Sequence, residues 1–217
     1  MSNQTQLIKK DALIIDYKVG NHLSIMNALS LLGYTFNISA EKRDIANARA
    51  YILPGVGAFY EAMKNLNKLG IVDILKEQVL ENKKPILGIC LGMQIMAESS
   101  EEKGFHAGLG WIKGHVIKMK SDETLRIPHV GWNQVKIMKK NPIFSRLPDR
   151  PNFYFDHSYQ FICNKKFKAG VCTYGEDITA AVQHENIFGV QFHPEKSQNN
   201  GLKLFRGFFE YVKLKTE

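Results

Sequence analysis

One pentapeptide has the spacing of a catalytic turn: Gly88-Ile89-Cys90-Leu91-Gly92. The apolar run Lys84-Pro85-Ile86-Leu87-Gly88-Ile89 leads straight into it, and amphipathic periodicity follows from Leu91 to about Ser100, so the segment reads as strand, tight turn and helix. A nucleophile on such a turn needs small neighbours, because larger side chains would clash where the chain reverses. Cysteine there stands at the carboxyl end of a strand and the amino end of a helix, where N–H groups and partial positive charge favour the thiolate. The Leu91 backbone N–H is a natural oxyanion donor. The competing use of the same residues is a buried structural cysteine in a tight βα turn.

A thiolate nucleophile needs a base and a group that orients the base. Of the seven histidines, His193 is singled out by its setting, Val190-Gln191-Phe192-His193-Pro194-Glu195, at the end of an apolar run. Pro194 stiffens the exit, and Glu195 can return its carboxylate to one imidazole nitrogen while the other faces the thiol. Cys90, His193 and Glu195 therefore make a candidate Cys-His-Glu triad, defined by roles and not by chain order. A third element, Pro54-Gly55-Val56-Gly57, carries glycines that can aim a backbone N–H at a developing oxyanion, although a tight strand-to-helix turn would use the same residues. The glycine spacings of phosphate and dinucleotide loops are absent.

The elements that must position these groups follow from apolar patterning. Ala12–Ile15 and Ala50–Leu53 read as buried strands. Asn21 can cap a helix running to about Leu32, with Gly33 as its stop, and helical patterns fill Ala58–Leu69 and Val72–Glu81. Buried strands alternating with helices indicate a parallel sheet covered on both faces. The second half is richer in short strands: Trp111–Met119, Trp132–Ile137, Phe153–Phe155, Tyr159–Cys163, Ala169–Tyr174, Thr179–Gln183 and Ile187–Phe192, with Asn186 and Asn141-Pro142 as turns. A final helix runs from about Leu202 to Lys213. The expected fold is α/β, an open, mostly parallel central sheet with flanking helices and a strand-rich second half, forming one domain over residues 1–217 behind a polar extension at residues 1–10.

Composition narrows the field. The 217 residues carry 29 Lys and Arg against 21 Asp and Glu, a formal charge of +8. Residues 1–108 hold 12 basic and 11 acidic side chains and residues 109–217 hold 17 and 10, so the excess belongs to the second half. No apolar run approaches the roughly 20 residues of a membrane span, and the polar start lacks the apolar core of a secretion signal. Cys90, Cys163 and Cys172 have no metal-type spacing, so neither a zinc site nor a disulfide framework is expected, and no cofactor is called for. The chain reads as cytoplasmic, with no membrane partner. The clusters Lys136, Lys139, Lys140 and Lys165, Lys166, Lys168 would be the footing of a nucleic-acid-binding module, but no aromatic-basic recognition motif accompanies them.

Taken together, Pro54-Gly55-Val56-Gly57-Ala58-Phe59, Gly88-Ile89-Cys90-Leu91-Gly92-Met93-Gln94 and Phe192-His193-Pro194-Glu195-Lys196-Ser197 resemble the class I (triad) glutamine amidotransferases. Within them the resemblance is to the glutaminase subunits of imidazole glycerol phosphate synthase. Asp16-Tyr17 with Gly20-Asn21, Pro128–Asn133, Tyr154-Phe155 and His157-Ser158-Tyr159 are similar to further blocks of that subunit, and the similarity runs from about Ala12 to Phe209. The resemblance implies a flavodoxin-like amidotransferase fold and hydrolysis of L-glutamine to glutamate and ammonia through a glutamyl thioester on Cys90. His193 would serve as the acid-base and Glu195 as its orienter. It further implies an oxyanion site from Gly55, Val56, Gly57 and Leu91 with Asn21 beside that loop. Gln94, His157, Ser158 and Tyr159 would hold glutamine, Lys196 would lie at a partner interface, and ammonia would pass to a (β/α)8-barrel cyclase subunit in a heterodimer.

Three features depart from the pattern: Lys18-Val19 in place of Gly-Met, Asp156 in place of an apolar residue, and the polar N-terminal extension. Because the first loop and the His157 segment lie near the docking face in the family, these departures keep a second acceptor open, a sugar amidotransferase of surface-polysaccharide synthesis. A Cys hydrolase or redox protein of related fold is a third alternative.

Overall fold

The computed structural model describes residues 10–120, 125–139 and 142–216. Nearly all of the expected N-terminal extension, together with Lys140 and Asn141, lies outside the described residues. The first strands form where apolar residues run without interruption: β1 (Ala12–Ile15), β3 (Tyr51–Leu53), β4 (Ile86–Ile89) and β13 (Ile187–Val190) are buried at every position. Period-two alternation splits their side chains between two cores. Ala12, Ile14, Ile52, Leu87, Ile89, Phe188 and Val190 face one; Leu13, Ile15, Tyr51, Leu53, Ile86 and Ile187 face the other. Helices α1 (His22–Leu31) and α6 (Gln198–Thr216) cover the first core, and α3 (Phe59–Lys68) and α4 (Val72–Lys76) the second.

The main sheet has nine strands in the order β2-β1-β3-β4-β13-β12-β11-β8-β9. The ladders from β2 (Phe36–Ser39) to β13 are parallel. Those through β12 (Glu176–His184), β11 (Lys168–Tyr174), β8 (His129–Ile137) and β9 (Asn152–His157) are antiparallel. The sheet is thus parallel in its first five strands and antiparallel in its last four. A second sheet has the order β10-β7-β5-β6, built from Tyr159–Cys163, Gly114–Lys118, Ser99–Ser100 and His106–Ala107.

Most expected elements are found within a few residues of their bounds. The π-helical turn Glu77–Glu81 completes the α4 segment, and the short α2 (Lys42–Asn47) and the edge strand β2 stand where no element was expected. The main correction concerns the helix after Cys90. It is expected to reach about Ser100, but α5 spans only Leu91–Gln94. The reason is competition for carbonyls: Leu109 N–H takes Ile95 O, those of Trp111 and Ile112 take Met96 O, and that of Gly110 takes Ala97 O. A returning loop replaces the next helical turns, and β5 begins in its place. The strand expected at Trp111–Met119 starts later, at Gly114, and that at Ile187–Phe192 ends at Val190, which frees Gln191–His193 to leave the sheet.

Candidate active site

Four connections meet at the carboxyl ends of the parallel strands, the edge where open α/β sheets bind ligands. Cys90 follows β4 with φ 54° and ψ −111°, a left-handed conformation that costs a non-glycine residue about 1–3 kcal/mol and is retained where surroundings over-determine it. The surroundings do so here. A Cβ added at Gly92 would stand 1.8 Å from Leu53 O, and one at Gly88 would stand 2.7 Å from Gly92 O. Both glycines of the pentapeptide are therefore required by backbone approaching backbone. Cys90 N–H donates to Val190 O at 2.8 Å, tying the turn to β13.

His193 leaves β13 and turns into a 3-10 segment, Pro194–Lys196. Its backbone N–H donates to Tyr154 O (2.8 Å), its carbonyl accepts from Ser197 Oγ (2.6 Å), and that same Oγ accepts from Tyr154 N–H (3.0 Å). The imidazole Nδ1 lies 2.7 Å from Glu195 Oε1, with both side chains 3% or less exposed. This contact places the proton on Nδ1 and leaves the other nitrogen for Cys90. Burial alone would push the imidazole pKa down, but hydrogen bonds to Cys90 and Glu195 outweigh it and raise it to about 10. An imidazolium held between a carboxylate and a sulfur is the arrangement a thiolate nucleophile needs.

The Pro54–Gly57 loop is fixed at one end and open at the other. The buried Tyr17 hydroxyl donates to Pro54 O. A Cβ at Gly55 would meet Gly92 N, Tyr17 Oη and Leu91 Cβ within 2.8 Å, whereas one at Gly57, with φ +93°, would meet nothing within 4 Å. Val56 and Gly57 reach the site, lining a cavity of about 180 Å³ together with Cys90, Leu91, Gln94, Glu102, Asp156–Tyr159, His193 and Lys196.

Not every expected residue uses its polar atoms toward this cavity. His157 lines it, but its Nδ1 lies 2.8 Å from Tyr159 O and its Nε2 3.0 Å from His129 Nδ1, so both nitrogens are engaged within the protein. Burial pushes both of these imidazoles down to about 4, leaving them neutral. His129 is stacked between Phe155 and Tyr174. Asn21 turns to its own helix, accepting from Ser24 N–H as the α1 cap, while its neighbour Gly20 abuts Pro54. Lys196 is exposed, its Nζ 5.4 Å from the Tyr154 ring centre. Gln94 donates from Nε2 to Gln191 Oε1 (2.9 Å) and to Tyr159 O (3.1 Å), so its own Oε1 remains an acceptor.

Sequence reasoning did not find Gln191 or Glu102 as site residues. Gln191 stands two residues before His193, a period-two relation that could have flagged it. Glu102 lies in the turn between β5 and β6, where the sequence carries no signal; its Oε2 accepts from Phe59 N–H at 2.7 Å.

This elbow, His–Glu pair and cavity on a half-parallel sheet suit cysteine-dependent acyl transfer, and comparison with known proteins gives the class as glutamine amidotransferase. Residues 13–211 match the family described as "Glutamine amidotransferase class-I", and the chain belongs to that family. It is similar to the protein named "Imidazole glycerol phosphate synthase subunit HisH 2" of Vibrio vulnificus, 50% identical over 203 residues, covering 93% of this chain and 95% of that one. The subunit named "HisH 1" of Campylobacter jejuni is 47% identical over 195 residues, covering 90% and 97%. Among solved structures, one titled "Crystal structure of glutamine amidotransferase" aligns with TM-score 0.73 at 18% identity, covering 93% of this chain and 98% of that one, which speaks to the fold.

Proposed function

We propose that this chain is the glutaminase subunit of an imidazole glycerol phosphate synthase, acting through residues 1–217 as one catalytic domain. The glutaminase assignment follows from the family, and the subunit assignment from relatives named for it at 43–50% identity over most of the chain. Those names favour histidine biosynthesis over sugar amidation, and over a nucleic-acid-binding role for the lysine clusters. The observation that carries the mechanism is the buried His193–Glu195 pair on the same cavity as a cysteine held on a strained turn.

In this mechanism L-glutamine enters the cavity with its side-chain amide over Cys90. The sulfur attacks the amide carbon, and His193 gives its proton to the leaving ammonia, forming a glutamyl thioester. His193 then takes a proton from water, which attacks the thioester and releases glutamate. Glu195 holds the imidazole in one tautomer throughout. The oxyanion falls between the Leu91 N–H and an N–H of the Val56–Gly57 tip. The glutamine α-ammonium is met by acceptors in the cavity lining, Glu102 and Gln94 Oε1, with Ser158 and Tyr159 closing the cavity.

The partner is a cyclase subunit, and a (β/α)8 barrel is the form we assign to it. Its dock is the uncovered face of β8, where Val130 and Trp132 are 54% and 49% exposed. Trp132 packs edge-on to Tyr154 at 6.2 Å, and Tyr154 underlies Lys196 at the cavity rim, so this apolar face is continuous with the site. The test is to combine the chain with the cyclase subunit from the same source. Glutamine-dependent conversion should appear only with both chains and vanish with Cys90→Ala, while free ammonia should still support it. Glutamine-dependent conversion that persists with Cys90→Ala would refute the assignment.

A further inference from the structure

Gln191 is fully buried, and its side chain points at the nucleophile: Nε2 lies 3.7 Å from Cys90 Sγ. The register between neighbouring parallel strands puts it there. Ile89 pairs with Val190, so the next residues of the two strands, Cys90 and Gln191, leave the sheet side by side. His193, two residues on, returns to the same side. The sulfur is thus approached from one strand exit by two groups, an imidazole and a carboxamide.

Which end of the carboxamide faces the sulfur is fixed by a chain of contacts that begins at an unambiguous acceptor. Tyr159 O can only accept; it takes His157 Nδ1–H at 2.8 Å and lies 3.1 Å from Gln94, which must present Nε2 to it. That same Nε2 lies 2.9 Å from Gln191, which must therefore offer Oε1. Gln191 is left with N–H toward Cys90. Reversing it would set two NH2 groups against each other, and reversing both glutamines would set two carbonyl oxygens against each other in a buried site.

We propose that Gln191 is a direct partner of the Cys90 thiolate in catalysis. Its N–H donates to the sulfur without transferring a proton, while Gln94 and the Tyr159 carbonyl act as positioning groups that lock its orientation. A thiolate is a stronger acceptor than a thiol or a thioester sulfur, so the bond favours the attacking form and again the departing thiolate when the thioester is cleaved. It complements His193, which must both hold and release a proton; the carboxamide supplies a donor that stays in place through every step.

This inference rests on Cys90 being the nucleophile, and the two fail differently. Turnover surviving Cys90→Ala would remove the nucleophile; the measurements below address Gln191 alone. In the full chain, the rate of Cys90 alkylation by iodoacetamide against pH reports the thiol's ionisation. Gln191→Met keeps the volume and loses the donor. Its midpoint should rise by about one pKa unit, with kcat/KM of the two-subunit enzyme down about tenfold and KM near wild type. Gln191→Glu keeps an acceptor for Gln94 and sets a carboxylate beside the sulfur, so its midpoint should rise further. An unchanged alkylation profile in both folded variants would overturn the proposal, whatever their activity. Should neither variant fold, the wild-type chain decides. With 15N-labelled glutamine side chains, one Nε2 resonance should titrate at the alkylation midpoint and cease to do so in Cys90→Ala; no such resonance would equally overturn it.

Discussion

The Gly92→Ala substitution adds one methyl group to the most confined point of the site. Its Cβ would stand 1.8 Å from Leu53 O, where ordinary contact begins near 3.4 Å, leaving about 1.6 Å to be recovered. The obstruction is backbone, so no side-chain rotation relieves it; the end of β3 and the Cys90 turn must part, although β3 and β4 are hydrogen-bonded to each other. Overpacking of this kind costs about 1–3 kcal/mol, and the absence of a flexible neighbour puts Gly92→Ala at the upper end. For a chain of this size about 3 kcal/mol lowers Tm by roughly 6–12 °C. Activity should suffer more than stability. Displacing a nucleophile by about 1 Å from its oxyanion donors costs on the order of 100-fold in rate. Gly88→Ala is the internal comparison, because one of its two close obstacles is the flexible end of Met96. The order expected in thermal unfolding is therefore wild type, then Gly88→Ala, then Gly92→Ala. In the two-subunit glutaminase assay Gly92→Ala should lose at least 100-fold in kcat. A Gly92→Ala chain melting within about 2 °C of wild type and retaining more than a tenth of its activity would refute the claim that backbone contact dictates glycine here.

Other measurements bear on the remaining groups. Cys90→Ala should reduce glutamine hydrolysis to background with native circular dichroism and unchanged affinity for the cyclase subunit in titration calorimetry. Glu195→Gln should lose less activity than His193→Ala, because the carboxylate orients the base and transfers no proton; comparison of kcat/KM decides it. The same variant has a pH signature. Because His193 is raised from 6.5 to about 10 in the folded protein, its contribution to stability is complete below about pH 6.5 and is lost as pH climbs toward 10. The stability gap between wild type and Glu195→Gln, read by urea unfolding, should shrink across that window. The isolated chain should be a poor glutaminase that the cyclase subunit activates, measured as glutamate release with and without it.

Much of this site could be read from sequence because its chemistry coincides with strand ends. Ala12–Ile15 is found residue for residue, since a continuous apolar run has few other uses. Asn21 caps α1 as its position suggested. Cys90 and His193 each terminate an apolar run beside a glycine or a proline, so turn chemistry exposed them. What was hidden depends on register and on long-range competition for carbonyls. The helix after Cys90 has the right periodicity to Ser100, yet residues 109–112 take the carbonyls it needs. The edge strand Phe36–Ser39 alternates over only four residues, too short a run to stand out. The chain from Tyr159 through Gln94 to Gln191 joins three separate segments, and nothing in any one of them announces the other two. His157 shows the reverse: the family resemblance implied a ligand contact, and its two nitrogens are spent inside the fold.

The loop after β3 divides into a fixed root and a free tip within four residues. Pro54 and Gly55 are buried and held by Tyr17, Leu91 and Gly92, while Val56 and Gly57 are exposed. A peptide plane at the tip can therefore rotate without disturbing strand, elbow or base. Among the described residues of the site, the tip forms a hinged latch on a buried root, facing the cavity on one side and open to solvent on the other. Activation by a docking chain would need no rearrangement of the fold, only pressure on a latch whose hinge is already set. Lengthening the tip should be tolerated as a folding matter, and lengthening the root should not.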